Sequence, residues 1–441
     1  MKTGFAKVDI TPRIGVELCG FGPYRHRYSI AVRDNLWAKS FALEHDGEKM
    51  VLVSCDLIGL QSITINKVKV LVEEASGLPP ESVMVHCTHT HSGPATTEMN
   101  GWGEMDSPYM EILPYKIAKS CIDALQDLQD SEFSHAEVPC EGIAYNRQYD
   151  KTGALPDVLK ENWRPEKPEL TDTTCHVIKV ESRGKLRGFI SYFGCHPVVC
   201  CEQSRYIHGD YPGVALNNLE REFPGSIGLF LQGAQGDINT CVVHKTEQES
   251  LLALDIIAAR FANAVRNGLE KAKSVKIEKI NSAIVEINFS EKKLDIAYLK
   301  NMLAEKESII QKADASDEPR DTRMAMVMIS CLRKIIGLVE KGEPTYPTAR
   351  IQGFRIGPIV LLGGPFETYQ GIKNDVKASA KSPVPLVMSL TNEYFGYAPD
   401  KETATGYAAE TVPMILGHMP FGKIHEELVE VFLKLEKKLL K

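Results

Sequence analysis

Val83-Met84-Val85-His86-Cys87-Thr88-His89-Thr90-His91-Ser92-Gly93-Pro94 is the stretch on which the reading of this chain turns. Residues 83–88 form a short apolar run, expected as a strand, and the run leads directly into two histidines spaced by one residue. On an extended chain residues i and i+2 face the same side. His89 and His91 can therefore converge on one metal ion, or one can bind while the other works on a substrate. Ser92-Gly93-Pro94 turns the chain away at once, which leaves the pair at a strand end, where α/β folds place their sites. A His-x-His pair is common, and its plainer alternative is two structural histidines satisfied by the backbone.

Working outward, residues 37–45 and 50–54 read as strands joined by a hairpin turn at Asp46-Gly47-Glu48. Residues 64–76 have helical periodicity and stop at Gly77, and residues 108–128 form a second helix. Residues 139–175 are polar and turn-rich, and are expected as a long surface loop. Strands at 175–180 and 187–193 run into Gly194-Cys195-His196-Pro197. A helix at 211–223 precedes a buried strand at 227–232, and a long helix follows at 247–272. Strands return at 283–289, 349–356, 359–362 and 386–390, and residues 423–440 close the chain as an amphipathic helix. Residues 292–341 are charged and helical in period, and are expected as a helical hairpin inserted between strands: a solvated insertion, or else a lid or dimer contact. No internal repeat is visible. The expected architecture is one α/β domain over residues 1–441, with central mixed β-sheets flanked by helices and the hairpin at 292–341.

Composition narrows the function. The 441 residues include 51 Lys+Arg and 58 Asp+Glu, a net charge of −7, which argues against nucleic acid as a partner. No stretch approaches the roughly 20 apolar residues of a membrane span, so no stable membrane insertion is expected. The 11 cysteines sit mostly in apolar runs without a C-x-x-C, as buried free thiols of a reducing compartment would. Residues 1–7 lead into Val8-Asp9-Ile10-Thr11-Pro12 with no apolar segment, from which a cytoplasmic location is expected. A small-molecule substrate is the expected partner, and a homo-oligomer is compatible with the sequence.

His196, which also ends an apolar strand, supplies a distant third imidazole, and a short spacer plus a distant ligand is the usual pattern of a catalytic zinc site. His208 is a weaker candidate, and Asp210 is readable as a helix cap. The glycines of Gln232-Gly233-Ala234-Gln235-Gly236-Asp237-Ile238-Asn239 allow close backbone approach, either to a substrate or to a neighbouring loop. Arg147 and the tyrosines of Asn392-Glu393-Tyr394-Phe395-Gly396-Tyr397 complete the candidates. There is no Walker motif, no G-x-G-x-x-G and no G-x-S-x-G elbow.

Taken in order, these motifs resemble the neutral/alkaline non-lysosomal ceramidase family. The matching segments are Val8–Pro12, Cys55-Asp56-Leu57, Thr88–Pro94, Asn146-Arg147, His196-Pro197, Asp210-Tyr211-Pro212-Gly213, Gln232–Asp237, and Asn392–Tyr397 with Tyr407. The resemblance implies one zinc ion held by two histidines, a glutamate and a tyrosine, with His89, His196 and Tyr397 as the motif-matched ligands. His91 would sit beside the metal in a proton-shuttling role, and Arg147 and Tyr407 would contact substrate or oxyanion. The implied reaction is hydrolysis of an amide by metal-activated water. Two departures stand out. Asn239 occupies the place of a serine, and Gly364 stands where the family has its glutamate ligand, so that either Glu367, three residues later, replaces it or the fourth ligand is water or absent. The leading expectation is a zinc-dependent hydrolase of an amide or ester in a small, sugar-derived molecule. The alternatives are a neutral ceramidase acting on N-acylsphingosine, and a non-catalytic ligand-binding relative.

Overall fold

In Glu48–Cys55, Met50 and Leu52 alternate with Val51, Val53 and Cys55, and both sets are buried. A strand that is apolar on both faces lies between two layers. The computed structural model, which describes residues 1–441, shows what those layers are.

Three sheets are built on one plan. The first contains β1 (Lys2–Asp9), β2 (Trp37–His45), β3 (Glu48–Cys55) and β4 (Val83–Cys87) in the order β4-β3-β2-β1, with β3 and β4 parallel and the other pairs antiparallel. Helix α1 (Ser62–Ser76) makes the crossover to β4, and α2 (Ser107–Gln126) packs on β1 and β2. In the second sheet, β5 (Glu132–Pro139), β6 (Thr174–Ser182), β7 (Lys185–Phe193) and β8 (Ile227–Gln232) pair in the order β8-β7-β6-β5, again with only the β7–β8 pair parallel. The crossover helix is α3 (Asp210–Glu222), and α4 (Glu247–Lys271) packs beside it. Between α4 and the rest of the third sheet comes β9 (Ile280–Ile287), followed by the hairpin helices α5 (Ile296–Ile310) and α6 (Arg320–Lys341). Strands β10 (Ala349–Ile356), β11 (Ile359–Gly363) and β12 (Val384–Met388) complete that sheet in the order β9-β10-β11-β12, with β11 and β12 parallel. Its crossover helix is α7 (Gln370–Ser379), and α8 (Ile424–Leu440) covers it.

One face of each sheet meets the other two. Leu52 and Met84 from the first sheet, Ile190 and Leu229 from the second, and Phe354 and Leu386 from the third share a single central cluster. The opposite faces are each covered by their own helices, which gives three outer clusters. This is the mixed α/β architecture expected from the sequence. The threefold repetition of topology leaves no trace in the sequence, because only the apolar alternation is shared and not the residues.

The β2–β3 turn falls at Asp46-Gly47, both with positive φ (49° and 85°), the backbone a tight two-residue hairpin needs. Gly77 ends α1 in the left-handed conformation at φ 71°. The surface loop expected at 139–175 is corrected in its first part. Cys140, Ile143, Ala144, Tyr145 and Asn146 are buried, because Ala144–Asn146 pairs with Ile238–Thr240. The hairpin lies between β9 and β10 as expected, but it is not solvated on every side. Val327, Leu332 and Ile335 of α6 bury against Trp102 and Ile415. All eleven cysteines are unpaired and buried, and no helix is long and apolar enough to cross a membrane.

Candidate functional site

The segments that follow β4, β7 and β11 bring His89, His196 and Glu367 together, one residue from each sheet. His89 is held in the left-handed region at φ 72°, unusual for a residue other than glycine, while its N–H donates to the Leu57 carbonyl at 2.9 Å. Its Nδ1 donates to the Ile58 carbonyl at 2.6 Å. The His196 N–H donates to the Ile238 carbonyl at 3.0 Å, and its Nδ1 lies 2.7 Å from the Gln235 carbonyl. A carbonyl only accepts, so Nδ1 carries the hydrogen in both rings and Nε2 offers a lone pair.

Both Nε2 atoms face the same carboxylate oxygen. Glu367 Oε2 is 2.8 Å from His196 Nε2 and 3.4 Å from His89 Nε2. Glu367 is positioned by parallel pairing of Glu367–Thr368 with Tyr397–Ala398, and its Oε1 accepts from the Tyr394 hydroxyl at 2.8 Å. With both hydrogens on Nδ1, three acceptor atoms converge with no proton between them, and His89 Nε2 has no hydrogen-bond partner at all. Such a contact is repulsive unless a cation occupies it. Two imidazoles and a carboxylate, all buried, are the donor set of a borderline divalent ion, so the residues present fit a metal.

His91 stands beside this group, its ring centroid 4.8 Å from that of His89 and 6.0 Å from that of His196. Both of its ring nitrogens are buried without a partner. Burial pushes the His91 ring well below its ordinary range, so it is neutral. Gly20 makes the room, since a Cβ there would lie 2.3 Å from His91 Nδ1.

Arg147 extends from the strand pair Ala144–Asn146 and Ile238–Thr240. It donates to the Gly236 carbonyl at 2.6 Å and lies 3.4 Å from Asn239 Oδ1. Its guanidinium sits 5.2 Å from the centre of the Tyr397 ring. Asp237 anchors the loop beneath, accepting from the Asn146 amide at 2.7 Å and the Gln370 N–H at 2.9 Å. Of the two readings of this glycine loop, approach to a neighbouring loop is the one realised: a Cβ on Gly236 would fall 2.4 Å from the Glu367 carbonyl.

Eight of the residues singled out from the sequence, His89, His91, Arg147, His196, Asn239, Glu367, Tyr397 and Tyr407, line one cavity of about 350 Å³. Phe21, Trp102 and Leu416 supply apolar wall, and Arg320 of α6 and Glu202 add charge. Tyr407, on a single π-helical turn, is half-exposed at the cavity. His208 is not brought to the site: its Nδ1 accepts the Asp210 N–H at 3.0 Å, away from the cavity. Asp210 is no simple cap either, because its carboxylate also accepts from the Val199 and Cys200 N–H groups. Gly364 packs against Phe432 of α8, with 3.2 Å between a built Cβ and that ring. A side chain there would enter the outer core, whereas Glu367 reaches the histidines. Tyr394 was missed as the partner of Glu367. It lay within the quoted tyrosine motif, but sequence spacing does not say which of two tyrosines faces the carboxylate.

Comparisons with known proteins bear on the family and the fold. The family model described as neutral/alkaline non-lysosomal ceramidase, N-terminal, matches residues 1–244. Among solved structures, the fold is similar to the neutral ceramidase from Pseudomonas aeruginosa, at a TM-score of 0.75 and 18% identity over 99% of this chain and 75% of that one. It is similar also to a ceramidase complexed with C2, at a TM-score of 0.76 and 18% identity over 100% of this chain and 75% of that one. No curated protein matches the sequence. With a family match over more than half its length, and a site assembled from all three sheets, the chain belongs to the neutral/alkaline non-lysosomal ceramidase family, whose members are metal-dependent hydrolases.

Proposed function

We propose that this protein hydrolyses the amide bond of an N-acylated amino alcohol of the ceramide type. The observation that carries the reading is the convergence of two outward-anchored imidazoles and a buried carboxylate at the floor of a half-apolar cavity. The family match supports an acylated lipid amide over the small sugar-derived amide expected from the sequence. The apolar wall of Phe21, Trp102, Ile415 and Leu416 supports it too, since an acyl chain needs such a surface and a sugar does not.

His89, His196 and Glu367 would hold a divalent ion, zinc by donor type, with Tyr397 available at the cavity wall. When bound, such an ion supplies Lewis acidity toward water and carbonyl oxygen. The remaining work belongs to side chains. His91, neutral and with two free nitrogens, takes a proton at one of them and passes it to the leaving amine. Arg147, fixed by Gly236 and Asn239, presents a permanent positive charge to the developing oxyanion, and Tyr407 donates from the rim. Tyr394 holds Glu367 in place. The eleven unpaired thiols support a reducing compartment.

The test is release of fatty acid from a short-chain fluorescent ceramide by the zinc-loaded protein. Release that falls by about two to four powers of ten in His91→Ala supports the reading. A protein that leaves ceramide intact but cleaves an N-acyl amino sugar would restore the sugar-derived substrate. One that cleaves neither, with its metal bound, would favour a ligand-binding relative.

A further inference from the structure

A second cluster of metal-ligating side chains lies on the second sheet, outside the cavity. His135 and Glu137 are two apart on β5 and so share a face, and Glu137 stands directly opposite His176 on β6. His135 is on the diagonal from His176 across the same strand pair, close enough for long side chains to meet. The face is identifiable, because Phe133 on β5 and Ile178 on β6 keep the same parity and point into the central core. The three side chains therefore cap that core at the rim where the second sheet meets the third. Tyr192 on the adjoining strand bridges the two sheets there, donating to the Val387 carbonyl at 2.8 Å.

Their ligand atoms lie within 4.8 Å of one another. His135 Nε2 is 3.2 Å from His176 Nδ1, and Glu137 Oε1 is 3.8 Å from the same His176 nitrogen. Two imidazole nitrogens on a tetrahedral zinc, each at about 2.0–2.1 Å, are separated by roughly 3.3 Å. Both rings already stand at that spacing, and only the half-exposed Glu137 carboxylate has to close in. The alternative is a hydrogen bond between two neutral imidazoles.

We propose that His135, Glu137 and His176 form a second divalent transition-metal site, with zinc as its natural type of occupant, that clips β5 to β6 at the mouth of the central core. Burial lowers both imidazoles, His176 to about 3, so neither has to lose a proton at neutral pH to bind. Lys373 and Lys377 oppose a cation here, but Lys373 is paired with Asp172 at 2.5 Å, and Glu137 supplies compensating charge. Solvent completes the coordination on the open side.

Equilibrium dialysis against zinc, with metal counted by mass spectrometry, distinguishes the two arrangements. The wild-type protein should hold about one equivalent more than His135→Ala or Glu137→Gln, while all three cleave substrate equally. Zinc should also raise the melting temperature of wild type more than that of His135→Ala. Cobalt substitution should add a set of d–d bands in wild type that is missing from the variant. Equal zinc content in the three proteins, together with identical cobalt spectra, would overturn the site and leave the histidine–histidine hydrogen bond in its place.

Discussion

Tyr394 and Gly364 show how single residues set this site. Tyr394 spends its hydroxyl on Glu367 Oε1, fixing the carboxylate that faces both histidines. In Tyr394→Phe the carboxylate keeps its position in the chain but loses its support. Metal affinity is expected to fall about 10- to 100-fold, measured by competition with a chromophoric chelator. Gly364 makes the opposite point. It aligns with a ligand of the family pattern, yet its Cα faces Phe432. Gly364→Ala should leave metal content unchanged and cost about 1–3 kcal/mol in urea unfolding, as overpacked cores do. The histidines were legible in the sequence because His89 and His196 each follow an apolar strand at a turn, but the strand's period of two does not set where His89 points, since the strand ends at Cys87 and His89 is left-handed at φ 72°. The carboxylate was legible as a candidate. What decides for Glu367 is its pairing with the strand Tyr397–Ala398, a non-local contact that no spacing rule contains.

At the scale of elements, the hairpin α5–α6 is the part whose role the sequence left most open. Its charge pattern gives two helices correctly, and their boundaries differ by a few residues from the periodicity. The pattern does not show what the apolar stripe of α6 covers, because that surface comes from Trp102 and from the turn at Val412–Ile415, far away in the chain. Leu332 is fully buried in this contact. Leu332→Ala is expected to destabilise the protein by about 2–5 kcal/mol. It should also raise KM, since Arg320 of the same helix and Ile415 beneath it line the cavity. A loss of stability with unchanged KM would mean that the hairpin is only an appendage.

Across the whole molecule, three sheets back onto one core, and polar side chains buried between them make stability depend on pH. His86 of β4 is the clearest case. Its Nε2 accepts the Gln232 N–H at 2.9 Å, and burial lowers the ring to about 3. The unfolded chain takes up that proton near pH 6.5 and the folded chain does not. The contribution of His86 is therefore full above about pH 6.5 and is lost steadily between there and about 3, at about 1.4 kcal/mol per pH unit. Asp56, Asp210 and Asp237, each raised by burial to about 6, act in the opposite sense, gaining stability as pH falls from about 6 toward 4. They flatten the wild-type curve, so the difference between proteins is the informative quantity. In His86→Gln, where the amide oxygen can still accept from Gln232, urea midpoints between pH 6.5 and 4.5 should fall less steeply than in wild type. The three-sheet plan itself was not legible, since a repeat of topology without a repeat of residues leaves only ordinary α/β alternation in the sequence.

Amide hydrolysis is proposed to depend on a metal held by His89, His196 and Glu367. The most direct measurement titrates zinc into chelator-treated protein carrying His135→Ala, while following fatty acid released from a short-chain ceramide. Turnover should be absent after chelation and return in proportion to bound zinc, reaching its plateau at about one equivalent. It should stay absent at every zinc level when Glu367→Gln is added. Turnover that survives complete removal of metal, or that returns equally without the Glu367 carboxylate, would rule out hydrolysis driven by a metal at this site.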